Sequence, residues 1–266
     1  MGFNAGLDFE TKIIVKHQAP KLLRDFLARD SWQPASLMFS GVTDCYQPAE
    51  RKFQLTRQCL ELLRDCKHPA SIVTKNALIG RDIDVLAEMA GDNLIHAFVS
   101  ATTLDPELAR DMEPRTSIPG ARLRAIEMLV DAGIPVGVMV APVIPGLNDS
   151  AVPAILDAAK QAGAMTASYV MLRLPLTVEP VFNEWVERTQ PLKAERILNL
   201  VRQTRGGELY HSKFGQRMTG TGQIADQIKN MFSVFKKKCG LHNKLPKQDC
   251  SLFVRPTPSS GQMRLF

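Results

Sequence analysis

Five short apolar runs set the rhythm of the chain, at 36–40, 70–74, 94–100, 134–141 and 167–172. Each ends in a polar corner, several of them rich in glycine or proline, and each gives way to a helical pattern. Between the runs, apolar residues recur at a period near 3.6. Leu23, Phe26 and Leu27 share one face, as do Phe53, Cys59, Leu60 and Leu63 in a stretch read as helix over 50–66. The stretches 83–89, 122–130 and 152–162 repeat the pattern, and Gly133 and Gly163 close the last two just before the next strand. Apolar strands alternating with amphipathic helices predict an α/β fold. Its parallel sheet is covered on the outer face and closed, or partly closed, into a barrel. In such a barrel the chemistry gathers at the C-terminal ends of the strands. These are the corners at 41–48, 75–76, 101–106, 142–149 and 173–175.

After Pro175 the rhythm breaks. Helical patterns at 181–188, 193–204 and 224–239 form a C-terminal helical extension, with a Gly-rich turn at 205–207. From Gly240 the chain reads as an extended or mobile basic tail carrying Pro246, Pro256 and Pro258. The predicted organisation is a barrel over 1–175, a helical extension over 176–239 and a tail over 240–266.

Composition narrows the class. A hydrophobic content of 45% and a charged content of 23% are those of a soluble globular protein. Five cysteines without framework spacing, and no apolar leader at Met1, point to a reducing cytoplasm. The longest apolar stretch, 134–147, holds three prolines and is too short to span a bilayer, so no membrane association is expected. Charge is uneven. From Val201 onward twelve basic residues face three acidic ones, a net of +9, which leaves −3 for the first 200 residues of a chain at +6. This suits an anionic partner such as nucleic acid, or a solvated helix face at 236–238.

The corners carry polar chemistry. Ser40 and Gly41 let backbone approach a ligand, with Thr43 and Asp44 beside them. Lys75 places a cation at a strand end, where an unpaired ammonium is costly and a ligand carboxylate or phosphate would satisfy it. Asp105 reads as a helix N-cap or a ligand group. Cys45 reads as a small packed side chain or a thiol facing the pocket. Cys59 and Cys66 read as core residues, and Cys239, His242 and Cys250 are too few for a zinc site. The five histidines are scattered, which disfavours a metal-free hydrolase or aldolase.

Taken in order, five segments resemble the radical S-adenosylmethionine superfamily, in the branch related to the DNA repair enzyme spore photoproduct lyase. They are 40–48 (SGVTDCYQP), 71–75 (SIVTK), 100–106 (SATTLDP), 112–115 (MEPR) and 137–146 (GVMVAPVIPG). The resemblance implies a partial (β/α)6 TIM-like barrel with S-adenosylmethionine laid across the strand ends. It implies that Ser40 and Gly41 meet the methionine amino group, Lys75 and Ser100 the carboxylate and ribose, and the backbone of Val140 and Ala141 the adenine. Glu113 and Arg122 match family positions without an assigned role, and read locally as an ion pair.

The family holds a [4Fe–4S] cluster on cysteines spaced C-x3-C-x2-C. No cysteines here have that spacing, so no metal ligands are assigned. The first strand and cluster loop are expected to be missing, through an internal start or a natural truncation. The chain alone is then inactive in cleaving S-adenosylmethionine: either a fragment of an enzyme or an inactive binding or scaffold protein. The open strand edge near 36–40 is expected to favour association. Finally, Gln262, Leu265 and Phe266 resemble the Gln-Leu-x-Leu-Phe peptide by which bacterial repair proteins dock on the DNA sliding clamp, with Met263 in place of a leucine.

Overall fold

All five apolar runs form strands in the computed structural model, which describes Asp8 and residues 11–260. They are β1 (Leu37–Phe39), β2 (Ala70–Thr74), β3 (Ile95–Ser100), β4 (Val136–Val143) and β5 (Thr166–Met171). Every pairing is parallel and the spatial order is sequential, β1 to β5. A sequential parallel order follows when each helix returns the chain over the same face, which curls the sheet toward a barrel. Among the described residues β1 pairs only with β2, so its other edge is open, and Met38 on it is exposed.

The helices α1 (Ala19–Leu27), α2 (Glu50–Phe53), α3 (Leu55–Asp65), α4 (Ile83–Gly91), α5 (Pro106–Met112), α6 (Pro119–Asp131) and α7 (Val152–Gln161) accompany the sheet. They bury Leu27, Leu60, Leu63, Leu86, Ile126, Leu129, Ile155 and Leu156 against Ile72, Val99, Val136, Val138 and Val140 in one core. The expected helix over 50–66 is broken at Gln54, which takes a left-handed φ of 49°. The reason is the Glu50 carboxylate, which accepts from the backbone N–H of Leu55 and Thr56 at 3.0 Å each. It caps α3 with a side chain from the preceding turn. Gly137 has a packing cause: a Cβ there would stand 2.5 Å from the Phe98 ring.

Beyond β5, α8 (Val178–Thr189) and α9 (Ala194–Gln203) share a second apolar cluster with Ile144, Leu172 and Leu174 at the strand ends. In contrast, α10 (Gln223–Lys238) packs Ile228 and Phe232 into the barrel core, with Phe232 4.7 Å from the Tyr169 ring.

The segment after Gly240 forms no helix or strand through residue 260, and it is bonded to the barrel along its length. His242 bridges Thr166, and Gln248 donates to the Ala70 and Leu94 carbonyls. Asp249 N donates to Asn93 O and Val254 N to Cys66 O. Arg255 donates to the carbonyls of Leu27, Arg29 and Trp32, and Ser259 binds Asp25. This strap crosses the N-terminal ends of β2 and β3, opposite the predicted chemistry. Gln262, Leu265 and Phe266 lie outside the described residues. Among the described residues no helix is long and apolar enough to cross a membrane.

Candidate functional site at the strand ends

Main-chain geometry builds the rim first. Ser40, one residue past β1, holds a left-handed φ of 72°, and its hydroxyl accepts from Cys45 N at 2.9 Å. This folds 40–45 into a tight turn over the strand end. Gly41 is open on its Cβ side, with nothing within 4 Å. Asp44 then ties the turn to β2: its carboxylate accepts from Thr74 Oγ1 at 2.8 Å, Lys75 N at 2.7 Å and Tyr46 N at 2.9 Å. The buried Tyr46 hydroxyl donates to Asp82 at 3.1 Å and anchors the far end of the loop.

Lys75 is not an unpaired cation. Its ammonium binds Glu113, whose other carboxylate oxygen takes Arg122 at 2.6 Å. Arg122 also donates to the carbonyls of Ser117 (2.7 Å) and Ser100 (3.1 Å) and to Thr116 Oγ1 (2.5 Å). The Glu113 and Arg122 side chains are only 8% and 3% exposed, whereas Lys75 keeps 29% of its side chain in contact with solvent. Burial raises the Glu113 pKa, but the charges and hydrogen bonds of Lys75 and Arg122 outweigh it and hold the carboxyl below its ordinary value. The local ion-pair reading of Glu113 and Arg122 is therefore correct, and it extends to Lys75. An ammonium has three donors, so the partly exposed Lys75 can bind Glu113 and still meet a ligand.

The same network reaches β4. Thr102 Oγ1 bridges Glu113 (3.0 Å) and the Ala141 carbonyl (3.2 Å). Asn148, which sequence reasoning missed, is buried and donates to Thr102 O and Pro142 O at 2.8 and 2.9 Å while accepting from Ile144 N at 2.6 Å. Val140 is fully buried, and β4 changes register between Val140 and Val143, next to the Ala141–Pro142 cis peptide.

Lys75, Ser100 and Ala141 join one hydrogen-bonded rim, with Ser40 and Gly41 on the turn that carries Asp44 and Val140 next to Ala141. Asp44 connects that turn to Lys75, Lys75 connects through Glu113 and Arg122 to Ser100, and Glu113 connects through Thr102 to Ala141. Asp44 meets Lys75 through the main-chain N–H and is already held by Thr74 and Tyr46, so the partly exposed Lys75 ammonium is the charged group this stretch of the rim presents.

Asp105 takes its capping role, accepting from Glu107 N at 2.8 Å at the start of α5. Cys45 packs against the core, and burial pushes its thiol pKa up to about 12, so it stays protonated. The five cysteines are free, and among the described residues no group of three or more His, Cys, Asp or Glu side chains is placed to hold a metal ion.

The profile of the radical SAM superfamily matches residues 17–159, more than half of the chain and the whole of this rim. The chain belongs to the radical SAM superfamily. An uncharacterised protein of Mycobacterium tuberculosis is 36% identical over 204 residues, which cover 76% of this chain and 60% of that protein. An uncharacterised protein of Methanocaldococcus jannaschii is 28% identical over 187 residues, 70% of this chain and 67% of that protein. The chain spans about 60% of the length of the mycobacterial relative. Among solved structures, a spore photoproduct lyase cysteine-to-serine mutant superposes with a TM-score of 0.59 at 13% identity, over 85% of this chain and 65% of that one. A spore photoproduct lyase complexed with dinucleoside spore photoproduct gives 0.57 at 13%, over 80% and 61%. A further mutant, with bound AdoMet and dinucleoside spore photoproduct, gives 0.57 at 14%, over 77% and 58%. These likenesses establish the radical SAM fold, a partial TIM-like barrel. Of the cofactors the superfamily implies, the cluster does not fit the residues present: no C-x3-C-x2-C triplet occurs in the 266 residues.

Proposed function

We propose that this chain is a radical SAM protein that binds S-adenosylmethionine across the ends of β1 to β4 and works on or near nucleic acid. We further propose that these residues alone do not cleave the cofactor. The observation that carries the reading is the rim running from the Ser40 turn through Lys75, Glu113 and Thr102 to Ala141, which holds a partly exposed ammonium at the strand ends for a ligand carboxylate. In this superfamily a cluster-bound S-adenosylmethionine supplies a carbon-centred radical. Here Lys75 would hold the carboxylate, while Ser40, Gly41 and the main chain at Val140 and Ala141 would orient the remainder. Ser100 would stand with Lys75 toward the carboxylate and ribose, and its carbonyl also accepts from Arg122. The net +9 of residues 201–266 and the fold likeness to spore photoproduct lyase support a polyanionic substrate and a role in DNA repair.

Anaerobic reconstitution of this chain with iron and sulfide is expected to give no stoichiometric [4Fe–4S] absorbance. A cluster near one per chain, lost on mutating Cys45, Cys59 or Cys66, would overturn that expectation. The alternative is an inactive S-adenosylmethionine-binding or scaffold protein. The readings diverge on whether S-adenosylmethionine cleavage appears once a partner or longer chain supplies the cysteines.

The ending at Gln262, Leu265 and Phe266 is proposed to engage a bacterial sliding clamp, with two apolar anchors and one directional amide. Surface plasmon resonance of the 256–266 peptide on a bacterial clamp should show micromolar binding, abolished by Leu265→Ala with Phe266→Ala. No binding at ~1 mM would remove the clamp as a partner.

A further inference from the structure

Past the end of β5 the rim changes character. Arg205 is 2% exposed. Its two terminal nitrogens donate to the Leu172 carbonyl (2.5 Å) and the Gln216 carbonyl (3.2 Å), while its Nε–H is buried without a partner. Arg173, two residues beyond β5, also has a buried Nε without a partner, and one terminal nitrogen meets only the weakly accepting Met218 sulfur at 3.7 Å. Arg57, Arg64, Arg81 and Arg122 each hold a carboxylate; among the described residues no ion pair serves Arg173 or Arg205. Burial, and then the like charge of Arg173, lower the Arg205 pKa. Two adjacent guanidiniums without a counter-ion, one of them interior, are costly unless an anion completes them.

The loop over this pair, residues 205–222, carries five glycines at positive φ: Gly206, Gly207, Gly215, Gly220 and Gly222. It presents Lys213, Phe214 and Arg217. Phe214 is 87% exposed, with the Arg217 guanidinium 5.5 Å from its ring centre. An exposed aromatic ring flanked by cations is a stacking platform for a base.

We propose that Arg173 and Arg205 form a phosphate subsite at the end of β5, and that Phe214 receives the base of the same nucleotide unit. The planar guanidinium fork of the partly exposed Arg173 matches two phosphate oxygens, and Arg205 behind it leaves three of its five N–H groups without a protein acceptor. The subsite deepens the nucleic-acid reading above, and it requires neither S-adenosylmethionine nor a cluster.

The test is fluorescence anisotropy of the full chain with a fluorescein-labelled short oligothymidylate, competed by thymidine monophosphate or inorganic phosphate, without S-adenosylmethionine. Arg173 is partly exposed and repels Arg205, so Arg173→Gln should melt no lower than wild type yet bind the oligonucleotide and the monophosphate about tenfold or more weakly. Phe214→Ala should weaken both of these ligands and leave competition by inorganic phosphate unchanged. Lys237→Gln removes an equal charge from an exposed helix face and should leave monophosphate binding intact. Arg173→Lys, which keeps the charge and loses the fork, should lie between wild type and Arg173→Gln. A strand bound more tightly than the monophosphate identifies nucleic acid as the ligand, and equal affinities identify a free nucleotide. Wild-type affinity in Arg173→Gln, or equal losses in Arg173→Gln and Lys237→Gln, would overturn the subsite. Binding here with none of S-adenosylmethionine would fault only the cofactor reading.

Discussion

Replacing Glu113 with alanine is expected to cost ~3–5 kcal/mol of folding stability, because it leaves Lys75 and the buried Arg122 facing each other without their shared counter-ion. Thr102 loses one acceptor as well. Urea denaturation measures the loss; a change below about 1 kcal/mol would show that solvent already screens the network. Lys75→Ala should cost much less, since Glu113 keeps Arg122. The pH dependence has a definite sign. The folded-state pKa of Glu113 lies below the ordinary glutamate value of 4.5, so its contribution is fully present above that value. It is lost as the pH falls through the lower folded value. The Glu113→Ala protein should lack this part of the acid transition.

Asp82→Ala is expected to cost ~2–4 kcal/mol, by removing a fully buried carboxylate that serves the Tyr46 hydroxyl, Arg57 and Arg81. The arginines retain Asp84 and Glu50, so the stranded Tyr46 hydroxyl dominates the penalty. Tyr46 anchors the 40–46 turn, so amide exchange at Ser40 to Cys45 should accelerate in step. Asp82→Asn, which keeps an acceptor for the hydroxyl, should lose less. Equal stability of the alanine and asparagine variants, within about 0.5 kcal/mol, would contradict this assignment.

The strands were legible because fully apolar runs bounded by Gly, Pro and Ser corners leave few alternatives to a covered parallel sheet. The rim was legible as a set of corners, and Lys75 as a residue needing a partner. The partner was not. Glu113 lies 38 positions away and meets Lys75 only once α5 has brought it over the end of β2. Periodicity read through Gln54, because a 3.6-residue stripe carries no trace of a carboxylate reaching back to cap the next helix. The 240–260 strap was missed for a related reason. Its hold comes from bonds between side chains and distant backbone, such as Gln248 to Leu94 over 154 positions, and these leave no local pattern. Asn148 and Arg205 are polar residues in ordinary sequence contexts, and only burial marks them.

Titration calorimetry of S-adenosylmethionine into the wild-type chain and Lys75→Ala puts the rim to its most direct trial. Without an iron contact the wild type should bind with a Kd of about 10 µM to 1 mM. Lys75→Ala should weaken this by roughly 1–3 kcal/mol, about fivefold to more than a hundredfold, through the lost charged hydrogen bond. Equal binding by the two proteins, or no heat from the wild type at millimolar S-adenosylmethionine, would contradict the assignment of this rim as the cofactor site.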